Sequence, residues 1–369
     1  MAAASFPTSA ERVTDAWLTR ALRDAGATCA ASVVRHRVEP ITERGYAATT
    51  TRIELDYDRD EAGAPHSLIA KFPSEYEPTR ELAHTFGIYR NEAGFYRDLA
   101  PDAGIDVPHC FCVEHDPDTS DFVLLLEDLS GAREIEDGSV TVADAEEVVR
   151  NLAPFHARWW NDPLLPRLDW LWKPDDPQRR ARLQVVLQAA VPQARERMGS
   201  AFPDVISKVA ERWLGSFDRL QERARTSALT LVHGDLHVGQ MFFPSRAVPR
   251  FALFDWQVCL LAAGANDLAR FVLMSFAPDE REACETGLVE QYHRRLAEHG
   301  VADYPLERCW EDYRLGMMST AMLNIAASIY IDTERAEQRS AELGIDWQER
   351  TLGWPAAALE HHRVLDLIA

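Results

Sequence analysis

Residues 231–243 read LVHGDLHVGQMFF, two short apolar runs that enclose a polar segment. The segment places His233, Asp235, His237 and Gln240 within eight positions. Short apolar runs interrupted by glycine are typical of buried strands that end in a turn. The core therefore holds this turn from both sides. Either the histidines are incidental to a polar turn, or the turn displays Asp235 for chemistry.

A second carboxylate follows 20 residues after the first, where the apolar segment FALFDWQ reaches Asp255. We predict that this segment forms a hairpin with the strand that precedes the 231–243 turn. The hairpin would place Asp235, Gln240 and Asp255 around one small volume. Carboxylate and amide oxygens are ligands that Mg²⁺ prefers, and a neighbouring carboxylate can accept a proton from an attacking hydroxyl.

The predicted secondary structure changes along the chain, from mainly strands to mainly helices. The first 126 residues predict a helix over 9–25 capped by Ser9, a helix over 80–99, and strands at 32–41, 46–58, 67–73, 109–116 and 121–129. The later residues predict strands at 229–233 and 250–256, and helices over 141–160, 178–198, 204–225, 266–276, 279–299, 305–331, 333–343 and 355–367. We therefore predict an α+β fold with a small antiparallel-sheet lobe over 1–126 and a larger, mainly helical lobe over 127–369.

Composition excludes several classes of protein. The net charge of −20 argues against binding nucleic acid, which needs clustered Lys and Arg. The six cysteines include no CxxC pair, which favours reduced thiols over a zinc or disulfide framework. No signal peptide and no membrane span is recognised, so a cytoplasmic protein is expected. No GxxxxGK[ST] motif occurs, which excludes a P-loop NTPase.

The segment HGDLHVGQ followed by FDWQ resembles the catalytic loop and metal-binding aspartate of the aminoglycoside phosphotransferase and choline kinase group, distant relatives of the protein kinases. The segments LLLEDL, NEAGFY and TDAWLTRAL, together with FDWQ in place of FDF or FDG, resemble the ecdysteroid-kinase-like subgroup. The resemblance covers residues 10–330 approximately. It implies a protein-kinase-like two-lobe fold and an enzyme that transfers the γ-phosphate of ATP to a hydroxyl group, with Mg²⁺.

The resemblance assigns four residues to the catalytic region. Asp235 would orient and deprotonate the substrate hydroxyl, and His237 would contact the transferring phosphate. Asp255 would bind magnesium, together with Gln240, which stands where the family usually has Asn. Asp267 would brace the catalytic loop from the start of a helix.

The resemblance also assigns the nucleotide contacts of the small lobe. Lys71 would grip the α- and β-phosphates, and Glu92 would be its ion-pair partner. Backbone groups near Gly45 and Tyr46 would cover the phosphates. The segment between the lobes would bind adenine through its backbone; its residues are Glu127, Asp128 and Leu129.

Several alternatives stay open. The longer Gln240 and the single Gly45 also fit a pseudokinase-type module that binds a nucleotide without turnover. The acceptor is either a small-molecule alcohol (an antibiotic, sugar, nucleoside or similar compound) or a Ser or Thr hydroxyl of a biosynthetic peptide. A cationic small molecule would be bound by acidic side chains of the helical lobe, for which the candidates are Asp162, Asp169, Glu311 and Asp312. His156 and His233 are expected in the core rather than on a metal.

Overall fold

The computed structural model describes residues 6–41, 47–215 and 227–368. Contacts divide the chain into two compact units. The first consists of Met1–Arg133 and Phe242–Val258, and the second of Glu134–Met241 and Cys259–Ala369. Whereas the sequence predicts a single boundary between residues 126 and 127, the chain returns to the first unit for a short segment. Asp255 therefore belongs to the unit that contains the sheet.

The first unit is built on a five-stranded antiparallel sheet in the order β1-β2-β3-β5-β4. The strands are β1 Val33–Pro40, β2 Ala48–Tyr57, β3 Ser67–Pro73, β4 Cys110–His115 and β5 Phe122–Glu127. Residues 122–126, FVLLL, are all buried because this strand lies inside the sheet and is covered on both faces. The five strands predicted for the first 126 residues are all present.

Helix α1, Asp15–Asp24, packs on one face of this sheet through Trp17, Leu18 and Leu22. The prediction that this helix starts at Ser9 is wrong. Ala10–Arg12 is a separate 3₁₀ turn, and the side chain of Thr14 accepts the N–H of Trp17 at 3.2 Å. Thr14 is thus the cap, because its oxygen satisfies a backbone donor of the first turn.

The helix predicted over 80–99 is two helices, α2 Glu77–Phe86 and α3 Ile88–Asp98. They meet at Gly87, whose φ of 63° lies in the left-handed region. Glycine adopts this conformation without the steric cost that a side chain brings, so it ends the first helix. The second helix carries Glu92 on its buried face.

The second unit is mainly helical. The α-helices among its described residues are α4 Val142–Arg158, α5 Pro177–Met198, α6 Asp204–Gly215, α7 Ala265–Ser275, α8 Pro278–Glu298, α9 Leu306–Ser328, α10 Thr333–Leu343 and α11 Trp354–His361. Part of the helix predicted over 204–225 lies outside the described residues. Among the described helices, none combines the length and the apolar character that a bilayer crossing requires.

The predicted pairing around the 231–243 turn is wrong. The strand before the turn, β6 Thr230–Val232, pairs with β9 Leu260–Ala262. The strand after it, β7 Met241–Phe242, pairs with β8 Ala252–Leu253. Apolar runs of similar length make either pairing plausible from sequence, and the three-residue run at 260–262 is too short to be predicted as a strand.

Candidate active site

Lys71, on β3, lies between two carboxylates of the first unit. Its Nζ is 2.6 Å from Glu92 Oε1 and 2.6 Å from Asp255 Oδ1. The side chains of all three residues are almost completely removed from solvent, with exposures of 9%, 1% and 11%. The structure thus brings together Lys71 and Glu92, the pair expected from sequence, and adds Asp255 to them.

The three charges change each other's ionisation. Burial alone would lower the pKa of Lys71, but the carboxylates of Asp255 and Glu92 outweigh it and raise that pKa above the ordinary lysine value. Burial raises the pKa of Glu92, and the negative charge of Asp255 adds to the effect in spite of Lys71. The lysine therefore stays charged, while Glu92 holds a proton more tightly than an exposed glutamate does.

The turn that carries Asp255 is fixed by its neighbours. Asp255 itself has a φ of 67°, a left-handed conformation that aspartate tolerates better than most residues. Gln257 donates its side-chain N–H to Asp255 Oδ2 at 3.2 Å, and Asn91 donates to the carbonyl of Gln257 at 3.1 Å. The buried Trp256 stacks on Phe95, with ring centroids 3.9 Å apart. Sequence reasoning assigned no role to Asn91, although it directly precedes Glu92.

The segment predicted to bind adenine, residues 127–129, forms hydrogen bonds and ion pairs with other residues of the first unit. Glu127 donates its backbone N–H to His109 at 2.8 Å, and its carboxylate accepts from Arg250 at 2.5 Å. Asp128 accepts from Arg52 and Ser67 at 2.9 and 2.8 Å. The carbonyl of Leu129 accepts from Ala132 at 2.8 Å. Two of the backbone groups expected to face adenine are therefore used within the protein. The predicted phosphate-covering residues Gly45 and Tyr46 lie outside the described residues.

The turn that carries Asp235 in the second unit is braced by Asp267, at the start of α7. The buried carboxylate of Asp267 accepts the backbone N–H groups of His233 and Gly234 at 2.6 and 2.9 Å. Gly234 has a φ of 84°, which explains why glycine stands there. The expected bracing role of Asp267 is confirmed by these contacts.

His156 supports this brace, a role that sequence reasoning missed. His156 is buried as expected, and both of its ring nitrogens also form polar contacts. Its Nε2 is 3.3 Å from Asp267 Oδ2, and its Nδ1 is 2.7 Å from the hydroxyl of Tyr292. His233 is also buried, and its Nδ1 accepts the N–H of Asp235 at 3.4 Å. Both histidines therefore hold the turn in place, and spacing alone gave no signal of it.

Asp235 is held by Arg270, a residue that sequence reasoning also missed. The guanidinium places Nε 2.7 Å and Nη2 2.5 Å from Asp235 Oδ1. Burial opposes ionisation of Asp235, but the charge of Arg270 outweighs it and holds the pKa of the carboxyl below its ordinary value. The carboxylate is therefore ionised throughout the neutral pH range.

His237 and Gln240 follow on a short 3₁₀ turn. His237 Nε2 lies 4.0 Å from Asp235 Oδ2, and Nδ1 accepts the N–H of Gly239 at 3.2 Å. Burial lowers the pKa of His237, although the charge of Asp235 acts in the opposite direction. A neutral imidazole is thus favoured at His237, beside Asp235.

Gln240 is buried, and its backbone N–H donates to the carbonyl of His237 at 2.9 Å.

Acidic residues proposed from sequence for a cationic acceptor have structural partners. Asp312 is buried, accepts from Tyr304 at 3.0 Å and pairs with Arg308 at 3.1 Å. Asp162 accepts the backbone N–H of Leu164 at 2.8 Å. Glu311 also pairs with Arg308, with its Oε2 at 3.4 Å from Nη1. Their charges are engaged within the protein, which weakens the case for a cationic acceptor bound by them.

Known structures with the same fold are phosphotransferases by name. A protein from Ralstonia eutropha assigned to the aminoglycoside phosphotransferases matches with a TM-score of 0.56 and 15% identity, over 94% of this chain and 97% of its own. Choline kinase LicA from Streptococcus pneumoniae matches with a TM-score of 0.51 and 15% identity, over 89% and 93%. A variant of aminoglycoside 2′-phosphotransferase-IIIa in complex with GDP matches with a TM-score of 0.50 and 11% identity, over 96% and 99%.

These likenesses confirm the predicted α+β, protein-kinase-like fold. No curated protein sequence matches this chain significantly. The model of the ecdysteroid kinase-like family, however, matches residues 42–301, which is more than half of the sequence. The subgroup expected from LLLEDL, FDWQ, NEAGFY and TDAWLTRAL is the family that this match shows. The chain belongs to the ecdysteroid kinase-like family.

Proposed function

We propose that this protein is an ATP-dependent O-phosphotransferase that moves the γ-phosphate to a hydroxyl group of a small molecule. The observation that carries the proposal is the buried contact of Lys71 with Glu92 and Asp255. Removing three charges from water is costly, and apolar residues of similar volume would often stabilise a fold as well or better. Such a cluster is best explained by phosphate binding, where a positioned cation is needed.

In the proposed reaction the first unit holds the nucleotide. Lys71 contacts the α- and β-phosphates, and Glu92 keeps its ammonium group pointed in one direction. The remaining backbone groups of residues 127–129 receive the base, and those of Gly45 and Tyr46 cover the phosphates. Relatives in fold support a nucleotide, since LicA has been solved with AMP and the 2′-phosphotransferase with GDP.

Asp255 fits a magnesium ligand in the first unit. Its carboxylate is a hard oxygen donor, and Gln257 orients one of its oxygens. The candidate amide ligand in the second unit is the buried Gln240. When bound, Mg²⁺ neutralises charge on the nucleotide phosphates.

Asp235 is the proposed proton acceptor. The hydroxyl oxygen of the acceptor bonds to the γ-phosphorus, the bond between that phosphorus and the β–γ bridging oxygen breaks, and ADP leaves with that oxygen. The hydroxyl proton passes to the carboxylate of Asp235 and then to solvent. His237, favoured in its neutral form, lies next to this carboxylate and would contact the transferring phosphate.

A screen of alcohols with ATP or GTP and Mg²⁺, read by nucleoside diphosphate release, tests the proposal. We expect turnover with at least one small-molecule alcohol. Asp235→Asn should abolish turnover but retain nucleotide binding, whereas Asp255→Asn should weaken magnesium-dependent nucleotide binding. The exposed Asp56 on β2 supplies a matched control, Asp56→Asn, which should behave as the wild type.

Two outcomes would contradict the proposal. Tight nucleotide binding with no turnover on any alcohol would indicate a binding module. Turnover that is restricted to Ser or Thr hydroxyls of peptides would replace the small molecule by a peptide acceptor.

A further inference from the structure

The hydrogen bond and the ion pair of Arg270 with the proposed catalytic carboxylate both end on the same oxygen, Oδ1. Two of its nitrogens, Nε and Nη2, lie 2.7 and 2.5 Å from Asp235 Oδ1. A guanidinium that only neutralised an aspartate would more commonly bind both oxygens, one to each nitrogen. Here the two donors converge on one atom, so the two oxygens of Asp235 have different surroundings.

The orientation of Arg270 is itself fixed by a buried amide. Its Nη1 donates to Asn324 Oδ1 at 2.9 Å. The amide nitrogen of Asn324 donates to the carbonyl of Thr351 at 2.7 Å and contacts Met274 Sδ at 3.3 Å. The donors and acceptors of Asn324 are therefore assigned, and the amide is not free to turn over. Both Arg270 and Asn324 are buried, with exposures of 8% and 3%.

The second oxygen of Asp235 has a different neighbour. Oδ2 lies 4.0 Å from His237 Nε2, too far for a hydrogen bond. Among the described residues, no hydrogen bond to Oδ2 is found. Other charged or titratable groups nearby are His233, which accepts the N–H of Asp235, Asp267, which binds the backbone before it, and the ion pair of Arg350 with Asp137, whose charges act on His237.

We propose that Arg270 is a positioning residue that holds Oδ1 of Asp235 and thereby assigns Oδ2 as the atom that accepts the substrate proton. The inference rests on the proposed phosphotransferase function and adds to it which oxygen reacts. The hydrogen bond from Nε and the ionic contact of Nη2, both to Oδ1, oppose rotation of the carboxylate about its Cβ–Cγ bond. The substrate hydroxyl then donates to Oδ2, and its proton passes to that oxygen as the new O–P bond forms.

Arg270 also limits how strong a base Asp235 is. Its positive charge lowers the affinity of the carboxylate for a proton, as the lowered pKa indicates. A weak base suits phosphoryl transfer, because the loose transition state leaves the proton on the hydroxyl until late. The main contribution of the pair is therefore the placement of the hydroxyl, where an error of 1 Å can cost about 100-fold in rate.

Steady-state kinetics of three variants test this inference. Arg270→Gln should lower kcat about 100-fold, and Arg270→Lys, which keeps the charge but offers one nitrogen, about 10-fold. Asn324→Ala should also lower kcat, because Arg270 loses the amide oxygen that fixes its orientation. The KM for the nucleotide should change by less than about twofold in all three, because the contacts of the nucleotide are not altered. The acid limb of the kcat–pH profile should move to higher pH in Arg270→Gln, since Asp235 loses the charge that lowers its pKa.

The control is a second arginine–aspartate pair of the same unit. Arg308 pairs with the buried Asp312 at 3.1 Å, and Arg308→Gln removes a similar interaction elsewhere on α9. It should reduce stability and leave kcat and the pH profile unchanged. Equal kcat in the wild type and Arg270→Gln, or an equal effect of Arg308→Gln on kcat, would overturn the inference.

An activity-independent measurement separates this inference from the proposed function. The carboxyl ¹³C resonance of Asp235, assigned with Asp235→Asn, should titrate at higher pH in Arg270→Gln than in the wild type. If the wild type turns over no alcohol but the titration of Asp235 still differs between Arg270→Gln and the wild type, the proposed function is wrong. The contact of Arg270 with Asp235 is then still supported. If Asp235 titrates identically in both proteins, the inference is overturned whatever the activity.

Discussion

At the scale of single residues, the buried charge of Lys71 is balanced by two carboxylates at 2.6 Å. Lys71→Met should therefore leave Glu92 and Asp255 as facing like charges and destabilise the protein by about 3–5 kcal/mol. The loss should be larger at pH 8 than at pH 5.5. Glu92 already has a raised pKa, so it can take up a proton at the lower pH, and the stability is lost as pH rises and that proton leaves.

Urea denaturation of Lys71→Met at both pH values measures this effect. The double variant Lys71→Met/Glu92→Gln is the control, because it removes one of the facing charges and should recover stability mainly at pH 8. An equal loss at the two pH values would show that the carboxylates are not coupled through the lysine.

Thiol chemistry gives a second prediction at this scale. All six cysteines are free, and only Cys29 is exposed. Burial raises the pKa of Cys110 and Cys112 to about 12, so both thiols stay protonated and unreactive at pH 8. Native protein treated with a disulfide reagent at pH 8 should release one fast equivalent, and Cys29→Ser should abolish it. A fast phase that persists in Cys29→Ser would show that another thiol is reactive at pH 8.

At the scale of elements, the start of α7 determines the shape of the turn that carries Asp235. The carboxylate of Asp267 binds two backbone N–H groups, at 2.6 and 2.9 Å. Asp267→Asn offers one acceptor in place of two and should cost about 1.5–3 kcal/mol, the range for hydrogen bonds to a charged group. It should also lower kcat, because the turn before Asp235 loses a contact. Chemical denaturation together with kinetics measures both effects, and the exposed Asp279→Asn on α8 is the control that should change neither.

The elements also show how far sequence reasoning reaches. Strand positions and most helices follow from apolar periodicity, and the contact of Lys71 with Glu92 matches the pair expected from the family resemblance. The pairing of β6 with β9 could not be predicted, because several short apolar runs offer the same pattern. Arg270 gave no signal either, since its contact with Asp235 joins positions 35 apart through a tertiary fold. The assigned catalytic and nucleotide-binding roles stay predictions.

At the scale of the whole molecule, the first unit is made of two stretches of sequence. The later stretch contributes the stacking of Trp256 on Phe95 and the ion pair of Arg250 with Glu127 at 2.5 Å. A fragment of residues 1–133 should therefore expose an unfilled apolar surface and unfold without cooperativity. A chain in which a Gly/Ser linker joins residue 133 to residues 242–258 should fold cooperatively, as followed by circular dichroism during heating.

The same linked chain with Trp256→Ala is the control and should lose most of the gain. Cooperative unfolding of the fragment 1–133 alone would show that the later stretch is dispensable for this unit.

The split of the first unit has a consequence for biosynthesis. On the ribosome its first stretch is complete at Arg133, but the segment that finishes it ends at Val258, 125 residues later. At a translation rate of about 5–20 residues per second, the nascent sheet waits roughly 6–25 s with the partner surface of Phe95 uncovered. Synonymous codons that slow elongation between these two points should lengthen that interval and increase the fraction of newly made protein bound to chaperones.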